Sequence, residues 1–282
     1  MNGIALATAG LGYVYGDGTR ALEAVDLRVA AGEHLAIIGQ NGSGKSTLVR
    51  HFNGLLRPTE GEVLVDGMPA RQHHVAELAR LVGLAFQNPD RQIFAGRVRT
   101  EVAFGARNVG ASSAELEVRV REALTAVGLQ GSEDVNPYDL GYSRRKLLSL
   151  ASILAMRTPA VILDEPTTGQ DARGVARVGD LIRALGEAGR TVIAISHDMR
   201  FVAETFPRLV VMRAGAVVLD GPPAEVFGEP NWATLASTFL EPPLSARVAA
   251  RLGLAGVATE ADLISAVTRR ARESEGALPE GA

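Results

Sequence analysis

No cysteine occurs anywhere in the 282 residues, which excludes disulfides, thiol catalysis and thiolate metal sites. Long apolar runs are also missing. The longest without a charge, Leu147 to Met156, is about half of what a helix needs to cross a bilayer. The opening residues have neither the basic start nor the apolar core of a signal peptide, so an intracellular protein is expected. Neither sign of charge dominates: 29 Lys and Arg stand against 32 Asp and Glu, interspersed, for a net charge of −3. That balance argues against an extended nucleic-acid-binding face. A chain of this kind that works at a membrane needs another subunit to take it there. Its hydrophobic content of 46% is enough for a substantial core, in one large domain plus an appendage.

The most informative stretch is Gly39-Gln40-Asn41-Gly42-Ser43-Gly44-Lys45-Ser46-Thr47. It follows a short apolar strand and precedes a helical segment, Leu48 to Phe52. Glycines at 39, 42 and 44 let consecutive N–H groups point inward as a nest for phosphate. The following helix presents its N-terminal amides to the same anion. Lys45 is placed to reach the β- and γ-phosphates and the Ser46 hydroxyl to ligate Mg²⁺. The stretch is read as an ATP or GTP site.

Short apolar strands alternate with helical stretches. Strands are expected near residues 35–38, 62–65, 81–86, 160–163, 191–196, 209–213 and 216–220. Helices are expected near 114–127 with Ser113 as N-cap, and near 144–156, 172–188 and 200–205. Such alternation implies a mainly parallel, doubly wound sheet, whereas the opening stretch around Tyr13 and Tyr15 reads as antiparallel hairpins. Beyond Pro223 the pattern weakens into helical pieces at 244–252 and 260–272, with fraying expected from 274 to 282.

Two further motifs sit at strand ends. The apolar run Ala160 to Leu163 leads into Asp164-Glu165, and such ends face the crevice where α/β sheets bind ligands. Asp164 is placed to hold Mg²⁺ through water, Glu165 to orient or deprotonate an attacking water. The run ending Ile195-Ser196-His197-Asp198 offers His197 to the γ-phosphate and to Glu165. His34, His51, His73 and His74 show no metal-ligand spacing and are read as structural.

In this order the motifs resemble the nucleotide-binding subunit of ABC transporters across about residues 3 to 228. The resemblance implies an α/β P-loop NTPase fold. Its parts would be a parallel-sheet core, an antiparallel β subdomain and a helical subdomain at about 88–157, with an α-rich C-terminal extension over 229–282. It further implies ATP and Mg²⁺ as ligands, with Tyr15 stacking on adenine beside Val25. Gln87 is implied to sense γ-phosphate and Mg²⁺, His197 to act as a switch, and Asp171 in Gly169-Gln170-Asp171 to touch an opposing subunit. Within that family Phe86-Gln87-Asn88-Pro89-Asp90-Arg91-Gln92-Ile93-Phe94 is similar to a short helix of the energy-coupling-factor importer ATPases. That likeness implies Asp90 and Gln92 as contacts to a membrane-embedded coupling subunit. It also implies a second ATPase subunit, a separate substrate-binding membrane subunit and a place on the cytoplasmic face of the membrane. The C-terminal extension is implied to help dimerise.

One segment departs from the family. Where Leu-Ser-Gly-Gly-Gln closes on the opposing subunit's nucleotide, this chain has Leu140-Gly141-Tyr142-Ser143-Arg144. Either Gly141, Ser143 and the helix start near Arg144 supply donors to the γ-phosphate, with Arg144 and Arg145 adding charge, or Tyr142 obstructs the approach that glycine permits. A soluble ATP-driven clamp and a non-hydrolysing regulator are the competing function classes. The solute of a transporter would be chosen by another polypeptide.

Overall fold

The computed structural model describes residues 3–276. Two sheets share one body. Four strands, β1 (Leu6–Val14), β2 (Arg20–Val29), β4 (Glu60–Val65) and β5 (Met68–Pro69), form an antiparallel sheet in the order β2-β1-β4-β5. The second sheet contains β3 (His34–Ile38), β6 (Val82–Ala85), β7 (Ala160–Asp164), β8 (Thr191–Ile195), β9 (Arg208–Arg213) and β10 (Ala216–Gly221) in the order β10-β9-β3-β8-β7-β6. All its pairings are parallel except β10 with β9. Strands β3, β7 and β8 are buried almost throughout, as expected when both faces of a parallel sheet are covered.

Helices α1 (Lys45–Phe52), α2 (Val75–Leu81), α3 (Val98–Asn108), α4 (Ser113–Ala126), α5 (Tyr142–Met156), α6 (Ala172–Glu187) and α7 (Met199–Thr205) connect the strands. Between β6 and β7, α3, α4 and α5 pack on one another as a helical subdomain. Its α4 starts one residue earlier than the sequence suggests. Ser112, not Ser113, is the N-cap: its hydroxyl accepts from the Glu115 amide, and its own amide donates to Glu115 Oε2 at 2.8 Å, completing a capping box. Likewise α5 begins at Tyr142 rather than Arg144, with Gly141 as N-cap. The expected strand 81–86 is shorter, because Leu81 belongs to α2.

Beyond β10 lie short helices over Pro223–Val226, Trp232–Ala236 and Leu244–Arg251, then a longer one over Glu260–Gly276. Leu235, Ala246 and Ala258 join the same apolar cluster as β9 and α6, so this extension packs on the main body. The fraying expected from Ser274 meets helix up to Gly276; residues 277–282 lie outside the described part. Among the described residues no helix is long and apolar enough to cross a membrane.

Candidate active site

The loop between β3 and α1 is shaped by glycines with specific reasons to be glycine. Gly39 has φ 150°, and a Cβ there would lie 2.3 Å from the Met212 carbonyl oxygen. At Gly44, φ is 102° and a Cβ would meet the Ala21 carbonyl oxygen at 2.6 Å. Ser43 is fully buried, its amide closing a turn on the Gln40 carbonyl at 3.2 Å. Gly39 and Ser43 thus build the loop, while Asn41, Gly42, Gly44, Lys45, Ser46 and Thr47 line a cavity of about 330 Å³ together with Gln87, Asp164 and Glu165. Residues far apart in sequence meet there because β6, β7, β8 and β3 end side by side.

Lys45 is nearly buried, and its Nζ donates to the carbonyls of Gly39 at 2.6 Å and Gln40 at 2.8 Å. Burial holds its pKa below the ordinary lysine value, against the pull of Glu165 and Asp164. An ammonium held at the loop by two carbonyls and the Ser43 hydroxyl, all uncharged, has strong electrostatic reason to take a phosphate.

Asp164 ends β7. Burial pushes its carboxyl pKa up, opposed first by a hydrogen bond from the Ser46 hydroxyl and then by the charges of Lys146, Arg50 and Lys45. Its Oδ1 is buried without a hydrogen-bond partner. Leaving such an oxygen unpaired is costly, and an orphaned carboxylate oxygen beside a serine hydroxyl fits a hard cation such as Mg²⁺. That ion commonly takes one or two protein oxygens and completes its shell with phosphate and water. No group of three or more His, Asp or Glu among the described residues offers an all-protein metal cage.

Glu165 is buried, and its Oε2 lies 2.7 Å from Nδ1 of His197, whose own side chain is 65% exposed. Its backbone sits at φ 51°, with the amide donating to the Ile195 carbonyl at 2.9 Å. The histidine at the end of β8 therefore reaches the acid at the end of β7, as the motif order suggests.

Other sequence-derived residues sit differently. Tyr15 packs edge-on against Tyr13, and its hydroxyl meets Thr47 Oγ1 at 2.9 Å, beside the phosphate loop. Val25 is fully buried in the antiparallel sheet, so it presents no surface to a base; that expectation is corrected. Gln92 is half-buried and engaged within the chain. Its Nε2 donates to the Ser149 carbonyl and Ser152 Oγ, and its Oε1 accepts from the Phe86 amide, so the side chain braces the Gln87 loop against α5. Asp90 is on the surface, but its carboxylate is paired with Arg145 at 2.9 Å. Asp171 caps α6 through the Gly174 amide at 2.8 Å.

In the altered segment every long side chain is engaged within the chain. Arg144 donates to Ser132 Oγ, Arg145 donates to the Leu140 carbonyl and is ion-paired with Asp90, and Ser143 donates to Gln170. Both arginines are thus held by groups of their own chain, Arg144 by a neutral hydroxyl and Arg145 beside a carboxylate. Tyr142 is half exposed and lies over Gly169, where a Cβ would come within 2.7 Å of its ring. Gly141 has open space around it and an ordinary φ of −61°, so nothing local demands glycine. Two residues escaped the sequence reading. Gln170 lies inside a loop motif with no local sign of its pairing, whereas Lys146 does carry a signal, since a lysine at the head of Leu147-Leu148-Ser149-Leu150-Ala151 is out of place on a buried face.

Fold and site together define a P-loop nucleoside triphosphatase. The family model described as ABC transporter matches residues 22–168. An energy-coupling factor transporter ATP-binding protein of Methanocaldococcus jannaschii is 43% identical over 224 residues, covering 79% of this chain and 80% of that protein. A putative ABC transporter ATP-binding protein of Caldanaerobacter subterraneus is 43% identical over 257 residues, 91% of this chain but only 45% of the relative's length. Among solved structures, cbiO1 from Clostridium perfringens, described as part of the ABC transporter complex cbiONQ, aligns with a TM-score of 0.72 at 36% identity. That alignment covers 82% of this chain and 93% of cbiO1. The ATP-binding cassette MJ0796, as a dimer in a post-hydrolysis state with ADP and Pi, also aligns at 0.72, with 25% identity over 77% of this chain and 98% of its own. The chain belongs to the ABC transporter family and is an ATP-binding, ATP-hydrolysing member of it.

Proposed function

We infer that this chain is the ATPase subunit of an energy-coupling-factor importer of a vitamin or transition-metal ion. It works with Mg²⁺ at the cytoplasmic face of the membrane. The observation that carries the reading is its 43% identity, over four-fifths of both chains, to a protein named for that transporter type. The Gln87 loop supports it, because its short helical turn, Pro89–Arg91, exposes Asp90.

Two ATPase subunits would close head to tail, each nucleotide lying between the Lys45 loop of one and the Gly141–Arg144 segment of the other. Glu165, oriented by His197, is the residue to prepare water for attack on the γ-phosphate. Bound Mg²⁺ would neutralise phosphate charge and would be held by Ser46, Asp164 and Gln87. Closure and opening would pass through Gln87 and Asp90 to the membrane-embedded coupling subunit, which works with a separate substrate-binding membrane subunit.

The engaged side chains of Ser143, Arg144 and Arg145 favour a mixed dimer, in which this chain's own segment serves its partner weakly. Expression with the neighbouring genes tests the assignment. Recovery in membranes as a complex, with ATP-dependent uptake of a vitamin or metal ion, is expected. A chain that stays soluble and instead sediments with ribosomes would overturn it.

A further inference from the structure

Lys146 has no place in the mechanism described so far. It lies in the first turns of α5, just past the altered segment, and is 0% exposed. Its Nζ donates to three main-chain carbonyls: Phe86 at 2.9 Å, Gln87 at 2.8 Å and Asp164 at 3.0 Å. An ammonium has three N–H donors, and all three are used, none on a carboxylate.

Burying a lysine this way is expensive. Desolvation brings its pKa down to about 8, while the nearby charges of Asp164 and Glu165 act in the opposite direction. A leucine or methionine would fill the space without that cost. It would also leave three carbonyls short of a donor. The carbonyls belong to the ends of two neighbouring parallel strands, where Ala85 pairs with Leu163 as the last step of the ladder. Beyond that step β6 runs into the Gln87 loop and β7 into the acidic pair, so no backbone ladder holds the two segments together. Lys146 is the crosslink that does, and it reaches them from the helix that starts at the segment facing the opposing subunit.

We propose that Lys146 is a positioning residue for hydrolysis, fixing the backbone of Gln87 and Asp164 to the start of α5. Both residues then present their side chains to the γ-phosphate and Mg²⁺ in one geometry. The proposal rests on Gln87 and Asp164 acting at the nucleotide. Gln92 and the Arg145–Asp90 pair also tie α5 to the Gln87 loop, but Lys146 is bonded to both the loop and Asp164, so movement of α5 on closure would reach the two together through it.

The test uses the assembled ATPase complex with Lys146→Met, which removes all three donors, and Lys146→Gln, which keeps an amide with two. Measured are turnover, the Mg²⁺ concentration for half-maximal rate, ATP affinity and melting temperature. Lys146→Met is expected to lower turnover roughly 10-fold or more, since small misplacements of reacting groups carry penalties of that order. It should raise the Mg²⁺ requirement several-fold and leave ATP affinity within about twofold. Lys146→Gln should recover part of both losses. Should Lys146→Met not fold, the Mg²⁺ requirement and turnover of Lys146→Gln decide alone. Unchanged turnover and Mg²⁺ dependence in the folded variants would overturn the proposal, as would losses that track the folded fraction only. Glu165→Gln run alongside separates the two levels: normal turnover there would defeat the site assignment itself, whatever Lys146 does.

Discussion

Ser143 and Gln170 hold each other. The Ser143 hydroxyl donates to Gln170 Oε1 at 2.9 Å, and Gln170 Nε2 donates back to the Ser143 carbonyl at 3.0 Å. The altered segment, proposed to close on an opposing nucleotide, is thus fastened to its own chain's loop before Asp171. Tyr142 lies over Gly169 in the same contact.

Restoring Leu-Ser-Gly-Gly-Gln at 140–144 should release this contact and raise hydrolysis in the partner's site. The site built on Lys45 and Glu165 should change little in a mixed dimer; in a homodimer both sites gain equally. A missing preorganised donor at a developing charge typically costs about 3 kcal/mol of barrier, which sets the scale of the gain. Gln170→Ala, which frees the Ser143 hydroxyl alone, should give a smaller gain in the same direction. Turnover with Glu165 or the partner's equivalent glutamate disabled in turn separates the sites. If neither variant raises partner-site turnover, the fastened segment already does its work.

Glu165→Gln should keep ATP binding and lower turnover by roughly 100-fold or more, because the amide cannot accept a proton from water. Lys45→Ala should instead abolish tight binding. Nucleotide titration and steady-state hydrolysis on the assembled complex distinguish the two. His197→Ala leaves the Glu165 carboxylate without its 2.7 Å neighbour and should resemble Glu165→Gln more than Lys45→Ala.

Asp90→Arg should spare nucleotide affinity while weakening assembly with membrane subunits or uncoupling hydrolysis from uptake, since surface charges act mainly on docking and orientation. Because Asp90 is paired with Arg145, a second variant is needed. Arg145→Ala breaks the internal pair and leaves the carboxylate in place. Assembly retained in Arg145→Ala and lost in Asp90→Arg assigns the charge to the partner. Equal losses in both assign it to the internal pair, and a normal Asp90→Arg complex would sink the docking role.

Acid should destabilise the fold partly through His51. Its ring is buried, Nδ1 donates to the Thr47 carbonyl at 2.8 Å and Nε2 has no partner. Burial holds its pKa below the ordinary 6.5. Above that value both folded and unfolded chains carry a neutral ring, so the group contributes no pH dependence. As pH falls below it the unfolded chain takes the proton first, and stability is lost until the folded ring titrates too. Melting temperatures of wild type and His51→Gln between about pH 5 and 7.5 check this, the range in which an imidazole changes charge. Wild type should fall further than the variant; parallel curves would show that other groups set the acid limit.

The phosphate loop, the acidic pair and His197 were legible because each follows an apolar strand, and strand ends in a parallel sheet point to one crevice. Helix α3 was not legible. Its buried face is Val98, Val102, Ala103 and Ala106, too small in side chain to stand out, while its largest apolar residue, Phe104, is exposed. Arg97 at its N-cap supplies no side-chain cap. The inward turn of Val25 and Gln92 is hidden for another reason. Position in a motif does not reveal which way a side chain turns, and both turn inward, Val25 to fill a core and Gln92 to satisfy backbone and serine groups. The pairing of Ser143 with Gln170 spans 27 residues, and no local pattern announces it.

Glu165 carries its carboxylate on a backbone at φ 51°, a conformation that costs an ordinary residue about 1–2 kcal/mol. Glycine would sit there at ease, and asparagine nearly so. Folding and the turnover proposed for Glu165 therefore favour different residues at one position, and the proposed hydrolytic role is the reason to keep the glutamate. In a lineage where the opposing subunit had taken over all turnover, that restraint would vanish. Position 165 would be among the first to drift, toward residues that make the chain harder to melt. Such a subunit would stop working well before it stopped folding.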